Sequence, residues 1–226
     1  MNSAVLEVRV GHFDRALLAT RKALELFERA NELRGRVPAL SNLCFQYSYA
    51  GQPAEALRYG EEALQLARRH GFRNIEASTL ENLALAEGAA KHYPRAIEYA
   101  NASLELRSNL ESQVWSGHTL ANLAVWQARL GNLAAARDAV TQMLADDDAL
   151  NRGNEWPTYC YWVAAQILRL DGRLTEATRL LERATRLMQK TANGFEEEDR
   201  ASFLALPWHV DIKETAAAGV WPDPPR

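Results

Sequence analysis

The sequence predicts an all-α protein, a right-handed α-α superhelix of about five stacked helix pairs, and three observations carry that expectation. The 226 residues include 38 Ala and 31 Leu against 12 Gly and 8 Pro. Ala and Leu lose least on entering a helix, whereas Gly and Pro lose most. The chain also repeats itself. Gly11-His12-Phe13-Asp14-Arg15-Ala16, Gly51-Gln52-Pro53-Ala54-Glu55-Ala56, Lys91-His92-Tyr93-Pro94-Arg95-Ala96 and Gly131-Asn132-Leu133-Ala134-Ala135-Ala136 start at 11, 51, 91 and 131, and Gly172-Arg173-Leu174-Thr175-Glu176-Ala177 follows one residue late. A second motif keeps the same spacing of 40: Leu40-Ser41-Asn42-Leu43, Leu80-Glu81-Asn82-Leu83 and Leu120-Ala121-Asn122-Leu123. A fixed period of this size marks a solenoid of helix pairs, so about eleven to thirteen helices and no sheet are expected.

Each unit reads as two helices joined by a tight turn. Apolar residues three and four apart place the first helices at 37–50, 75–90, 114–130 and 156–170, and the second helices at 13–33, 53–69, 93–109, 133–147 and 174–190. Glycine closes three of the four complete first helices, where a left-handed cap costs it nothing. Lys91 replaces it in the third, so that turn is expected to be strained or differently built. Pro53 and Pro94 fall in the first turns of second helices, where a missing N–H is harmless. Ala16, Ala56, Ala96, Ala136 and Ala177 recur five residues after the turn, and Ala23, Ala63, Ser103, Met143 and Ala184 seven later. Small side chains there let helix axes approach to about 8–9 Å.

The repeats divide as 1–35, 36–73, 74–112, 113–153 and 154–190, the first truncated, followed by capping helices and a Pro-rich tail over 191–226. Residues 1–10 read as the later part of a first helix, so the chain opens inside a repeat and resembles a fragment cut from a longer protein. Residues 191–199 break the period. Residues 199–218 read as one or two short helices interrupted by Pro207. The stretch Trp221-Pro222-Asp223-Pro224-Pro225-Arg226 cannot be helical.

The composition excludes several classes. A net charge of −3 with mixed signs lacks the footprint of a nucleic-acid binder. No run of 18 apolar residues and no basic-then-apolar leader occurs, so neither membrane association nor secretion is expected. Cys44 and Cys160, far apart in apolar surroundings, read as reduced buried thiols of a cytoplasmic protein. His12, His70, His92, His118 and His209 lack metal-ligand spacing, and His12 and His92 share one repeat position after the turn. Asp146-Asp147-Asp148 lacks the alternating oxygens and glycine of a calcium loop and reads as a solvated linker. With no phosphate loop and no nucleophile elbow, neither catalysis nor a cofactor or metal is expected.

The pattern Leu-x-x-Gly/Ala, then Gly-x-x-x-x-Ala, then Ala seven residues on, resembles the tetratricopeptide repeat over roughly 1–190. The usual unit is about 34 residues. These units of 40 are similar to the long-helix subgroup of kinesin light chain and the maltose-type transcription activators, above all over 79–107. The Ser-Phe-Leu…Pro…Ile ending resembles the last segment of large bacterial signalling ATPases and cyclases.

The resemblance implies that the first helices line a concave groove. Its inward positions are Pro38, Ser41, Asn42, Phe45, Ser48 and Tyr49, then Ser78, Glu81, Asn82, Leu85, Gly88 and Ala89. In the fourth unit they are His118, Ala121, Asn122, Val125, Ala128 and Arg129, and in the fifth Tyr159, Trp162, Val163, Gln166, Arg169 and Leu170. Asn42, Asn82 and Asn122 form a ladder. Asparagine is an indifferent helix former, so three at one mid-helix position call for a reason. A carboxamide donates and accepts, and so can clamp the backbone of an extended peptide, the use the family implies; alternatively it bonds the neighbouring helix. The partner-binding candidates are Asn42, Asn82, Asn122, Phe45, Tyr49, Glu81, His118, Arg129, Tyr159, Trp162, Gln166 and Arg169. A chaperone-tail carboxylate clamp is not expected, because His118 and Asn122 stand where its lysines would.

The expected function is a protein–protein interaction module that holds a peptide segment or partner protein in the groove, within a larger signalling or regulatory protein. The alternative is a small-ligand sensor of a signalling ATPase or transcription activator, which a discrete pocket under Tyr159, Trp162 and Arg169 would favour. A structural solenoid that self-associates through its truncated edge is the third reading.

Overall fold

The computed structural model describes residues 7–110, 116–145, 150, 156–223 and 225. The acidic run at 146–148, the first residues of the chain and the expected helix start at 114 lie outside them. The chain divides into two compact units, residues 1–113 and 114–226.

The first unit contains α1 (Phe13–Arg29), α2 (Leu33–Tyr49), α3 (Pro53–His70), α4 (Arg73–Ala89) and α5 (Tyr93–Asn109). Each helix packs on the next, and first helix α2 also packs on first helix α4. The second unit contains α6 (Gly117–Arg129), α7 (Leu133–Leu144), α8 (Pro157–Leu170), α9 (Leu174–Ala192), α10 (Glu197–Leu204) and α11 (Pro207–Ala218). Here α6 packs on α7 and α8, and α11 packs on α8 and α9. Thus α11 takes the place the next first helix would occupy. Pro207 is its first residue and starts the helix rather than interrupting one. Among the described residues there is no strand, and no helix is long and apolar enough to cross a membrane. The all-α solenoid of helix pairs is the observed fold.

One boundary departs from the sequence reading by a full turn. Helix α1 stops at Arg29 and α2 begins at Leu33. The Glu32 carboxylate accepts from the Arg34 and Gly35 N–H groups, at 3.0 and 2.7 Å, and this cap fixes the start. Pro38 therefore sits inside the helix, not at its edge.

The turns repeat one hydrogen-bond pattern. Gln52 N–H reaches the Tyr47 carbonyl at 2.9 Å and Gly51 N–H the Ser48 carbonyl at 3.3 Å, and the same pair of bonds recurs at 91–92, 131–132 and 172–173. This is the double closure of a helix end whose capping residue is left-handed. Gly51, Gly131 and Gly172 supply it with φ of 70, 79 and 78°, and Lys91 adopts φ 63° in the same place. The expected departure at Lys91 is therefore a strained backbone in a conserved turn geometry. At the crossings, Ala16, Ala56, Ala96 and Ala136 are completely buried.

Candidate functional site

The first-helix faces hold every residue singled out from the sequence. In the first unit, Asn42, Phe45 and Tyr49 lie along α2, each half-buried. The Phe45 and Tyr49 rings meet with centroids 4.8 Å apart, and Tyr49 stacks on Phe13 at 5.4 Å. Asn82 on α4 faces back across the pair: its Nδ2 donates to the Ser41 carbonyl at 2.9 Å and to Ser41 Oγ at 3.0 Å. Its neighbour Glu81 accepts from Arg107 at 2.8 Å, and that guanidinium is almost wholly buried. Burial of an arginine needs such a partner, so this carboxylate holds α5 against α4 as well as facing outward.

In the second unit, Asn122 is buried and engaged on both sides. Its Oδ1 accepts from the Tyr159 hydroxyl at 2.8 Å, and its Nδ2 lies 3.1 Å from His118 Nε2. An amide N–H donating there makes Nε2 the acceptor of that bond. Burial pushes the Tyr159 phenol well above its ordinary pKa, the neighbouring Cys160 adds to this, and Arg129 opposes it. Trp208, at the start of α11, closes this cluster with its ring edge-on to Trp156 at 5.5 Å and to Tyr159 at 5.6 Å. Further along α8, Gln166 is buried, and Trp162 is completely buried beneath Trp221, the two rings nearly parallel at 5.6 Å. The Arg169 guanidinium lies 5.7 Å from the centre of the same Trp221 ring.

The structure thus gathers most of the candidates into three groups, while Asn82 bonds Ser41, Glu81 bonds Arg107, and Gln166 is buried in α8. Asn42, Phe45 and Tyr49 share the α2 face; His118, Asn122 and Tyr159 are joined by hydrogen bonds, with Arg129 acting on the phenol; Trp162 and Arg169 surround Trp221. Trp208 and Trp221 were missed by the sequence reading, which treated 191–226 as a cap and assigned it no wall positions. Their signal was visible only as two tryptophans in a terminal stretch without the repeat period.

A cavity of about 640 Å³ lies elsewhere, between α7 and α9, lined by Val140, Leu144, Leu168, Leu180 and the arginines 173, 179, 183 and 186. Apart from Leu168 of α8, its lining comes from the second helices α7 and α9 and the residues that flank them. Among the described residues no group of three His, Cys, Asp or Glu side chains could hold a metal ion. Both cysteines are free and buried, and burial pushes the Cys44 thiol far up.

Residues 35–109 match the family model described as tetratricopeptide repeat. No curated protein matches the chain. Among solved structures, BtubC (BKLC) from P. vanneervenii is similar with 22% identity and a TM-score of 0.63, over 85% of this chain and 79% of that one. The Rap protein, solved in complex with Competence and Sporulation Factor, is similar with 17% identity and a TM-score of 0.64 over 95% of this chain, which spans 62% of Rap. A putative kinesin light chain of Podosopora anserina with nearly identical TPR-like repeats gives 18% identity and a TM-score of 0.55, over 85% of this chain and 99% of that one. Residues 35–109 thus carry tetratricopeptide repeats, and the helix-pair fold of the chain is the one these solved repeat structures share.

Proposed function

We propose that this chain is a protein-interaction scaffold that holds an extended peptide segment against its first-helix faces, within a larger cytoplasmic signalling or regulatory protein of the long-repeat subgroup. The observation that carries the reading is the α2 face. The half-buried Asn42 has no side-chain hydrogen bond to any described residue and stands beside the half-buried rings of Phe45 and Tyr49. A free carboxamide next to an aromatic shelf offers an extended chain one backbone clamp and one apolar contact. The Asn82 amide nitrogen is engaged with Ser41, which leaves its Oδ1 to accept a backbone N–H from the same peptide. Asn122 has both ends engaged, so its part is to hold α6 to α8. The Rap structure, of the same fold, is itself a complex with a bound factor.

Peptide display against the purified chain tests this. Selected peptides should lose roughly three- to tenfold in affinity on Asn42→Ala, the value of one net hydrogen bond, with the melting temperature unchanged. Peptides that bind the Asn42→Ala chain as well as the parent would sink the proposed clamp.

A further inference from the structure

The face of α8 that the groove reading assigns to a partner is already covered by a segment of the chain itself. Helix α11 is capped by Gly219, whose φ of 67° turns the backbone out of the helix, and residues 220–223 are non-helical. Trp221 then stacks flat on Trp162 and under Arg169. Pairing of an indole with both a parallel ring and a guanidinium is a specific aromatic seat, because each contact depends on the orientation of the ring face.

Two features distinguish this from ordinary core packing. Among the described residues, one hydrogen bond holds residues 220–223, from Thr215 Oγ1 to the Val220 carbonyl at 2.9 Å, and Val220 itself is 70% exposed. Trp221 and Pro222 remain partly open to solvent. In addition, Trp162 is completely buried, yet among the described residues its Nε1–H has no hydrogen-bond acceptor. A buried indole donor is normally paired. An unpaired one beneath the segment means that the present occupant does not meet all the demands of the seat.

We propose that the α8 wall is a binding site for an aromatic side chain carried on an extended, proline-stiffened peptide, and that residues 220–222 fill it as a tethered, displaceable ligand. Proline suits such a ligand because it limits the backbone to extended conformations and lowers the entropy lost on docking. A partner segment of the same chemistry, with a backbone carbonyl placed to accept from Trp162, competes with the internal one. The site is distinct from the Asn42 face, so Asn42→Ala should leave it untouched, and failure of either reading is told apart from failure of the other.

The test uses the full chain and a fluorescein-labelled peptide of residues 219–226, Gly-Val-Trp-Pro-Asp-Pro-Pro-Arg. A short tether holds its segment at an effective concentration on the order of millimolar, so the parent chain should resist the added peptide. The Trp221→Ala chain should bind it about tenfold or more tightly than the parent does, and Arg169→Ala in that background should weaken binding again. Replacing the peptide's tryptophan by alanine should abolish it. Equal affinity for parent and variant, or equal binding of the tryptophan-free peptide, overturns the proposal. Melting of the Trp221→Ala chain with and without peptide adds a second arm: a fall that saturating peptide reverses supports a ligand, and a fall it does not reverse shows a fixed structural cover and overturns it. Should that variant not fold, the indole ¹⁵N–¹H signal of Trp221 in the parent chain decides. Unlabelled peptide in excess should move it toward its solvent position, and an unmoved signal overturns the proposal.

Discussion

His209 shows how one buried side chain makes stability depend on pH. Its Nδ1–H donates to the Phe203 carbonyl at 2.7 Å, and its ring lies 4.2 Å from that of Phe203. Burial pulls its pKa from 6.5 down to about 4, against the opposing effect of the backbone bond. The folded state therefore binds the proton less readily than the unfolded chain. Stability is fully present above about pH 6.5, falls as the pH drops toward 4, and the loss reaches on the order of 3 kcal/mol. Urea unfolding across pH 4–7 should show this slope, and His209→Gln should flatten it. The ladder divides at the same scale. Asn122→Ala would remove the acceptor of the buried Tyr159 hydroxyl and one contact of His118 Nε2, at a cost of about 1–3 kcal/mol, whereas Asn82→Ala removes bonds from a half-exposed site and should cost about 1 kcal/mol. Thermal melting of the two variants beside Asn42→Ala checks the order.

Among the elements, α3 and the turn after α4 carry the clearest constraints. Gly60 lies inside α3, where glycine costs about 1 kcal/mol relative to alanine. The repeat position holds larger residues elsewhere, Ala100 and Val140 among them. Here a Cβ would come within 2.6 Å of Leu83 Cδ2 and 2.7 Å of Cys44 Sγ, so α2 and α4 approach this point too closely for any side chain. Gly60→Ala should destabilise by roughly 1–3 kcal/mol despite its better helix propensity, the usual cost of overpacking. A melting temperature at or above the parent's would show that Leu83 yields freely. Lys91 offers the opposite case. It adopts the left-handed cap that glycine takes in the sister repeats. Lys91→Gly should therefore stabilise by about 0.5–1 kcal/mol, read by chemical denaturation.

At the scale of the whole molecule, helix pairs that contact mainly their neighbours make stability a sum of local terms. All six tryptophans stand at or after residue 115, in the second unit, whereas helix is distributed through both. Ala56 is completely buried in α3, in the first unit. Ala56→Leu, costing roughly 1–3 kcal/mol by overpacking, should lower the midpoint of the circular dichroism transition and leave the tryptophan fluorescence midpoint in place. If both midpoints move together, the two units unfold as one cooperative body.

The forty-residue period, the helix pairs, the capping glycines and the small residues at the crossings were all legible in the sequence. Each follows from local rules of period, propensity and backbone strain that act within one repeat. The start of α2 was misplaced because Arg34, Gly35 and Arg36 interrupt the apolar period in its first turn, and the strength of the Glu32 cap depends on where its carboxylate points. The candidate face was legible as a set of positions, but not as a set of roles. Asn42, Asn82 and Asn122 are identical in sequence, yet only the packed structure shows how many hydrogen bonds each amide already makes. That number depends on Ser41 and Tyr159, which approach across helix pairs from 41 and 37 residues away, and on His118 one turn earlier in the same helix. The seat of Trp221 was beyond reach for the same reason: a non-helical stretch has no period, so where it docks is decided only by the surface that α8 and α11 build beside it.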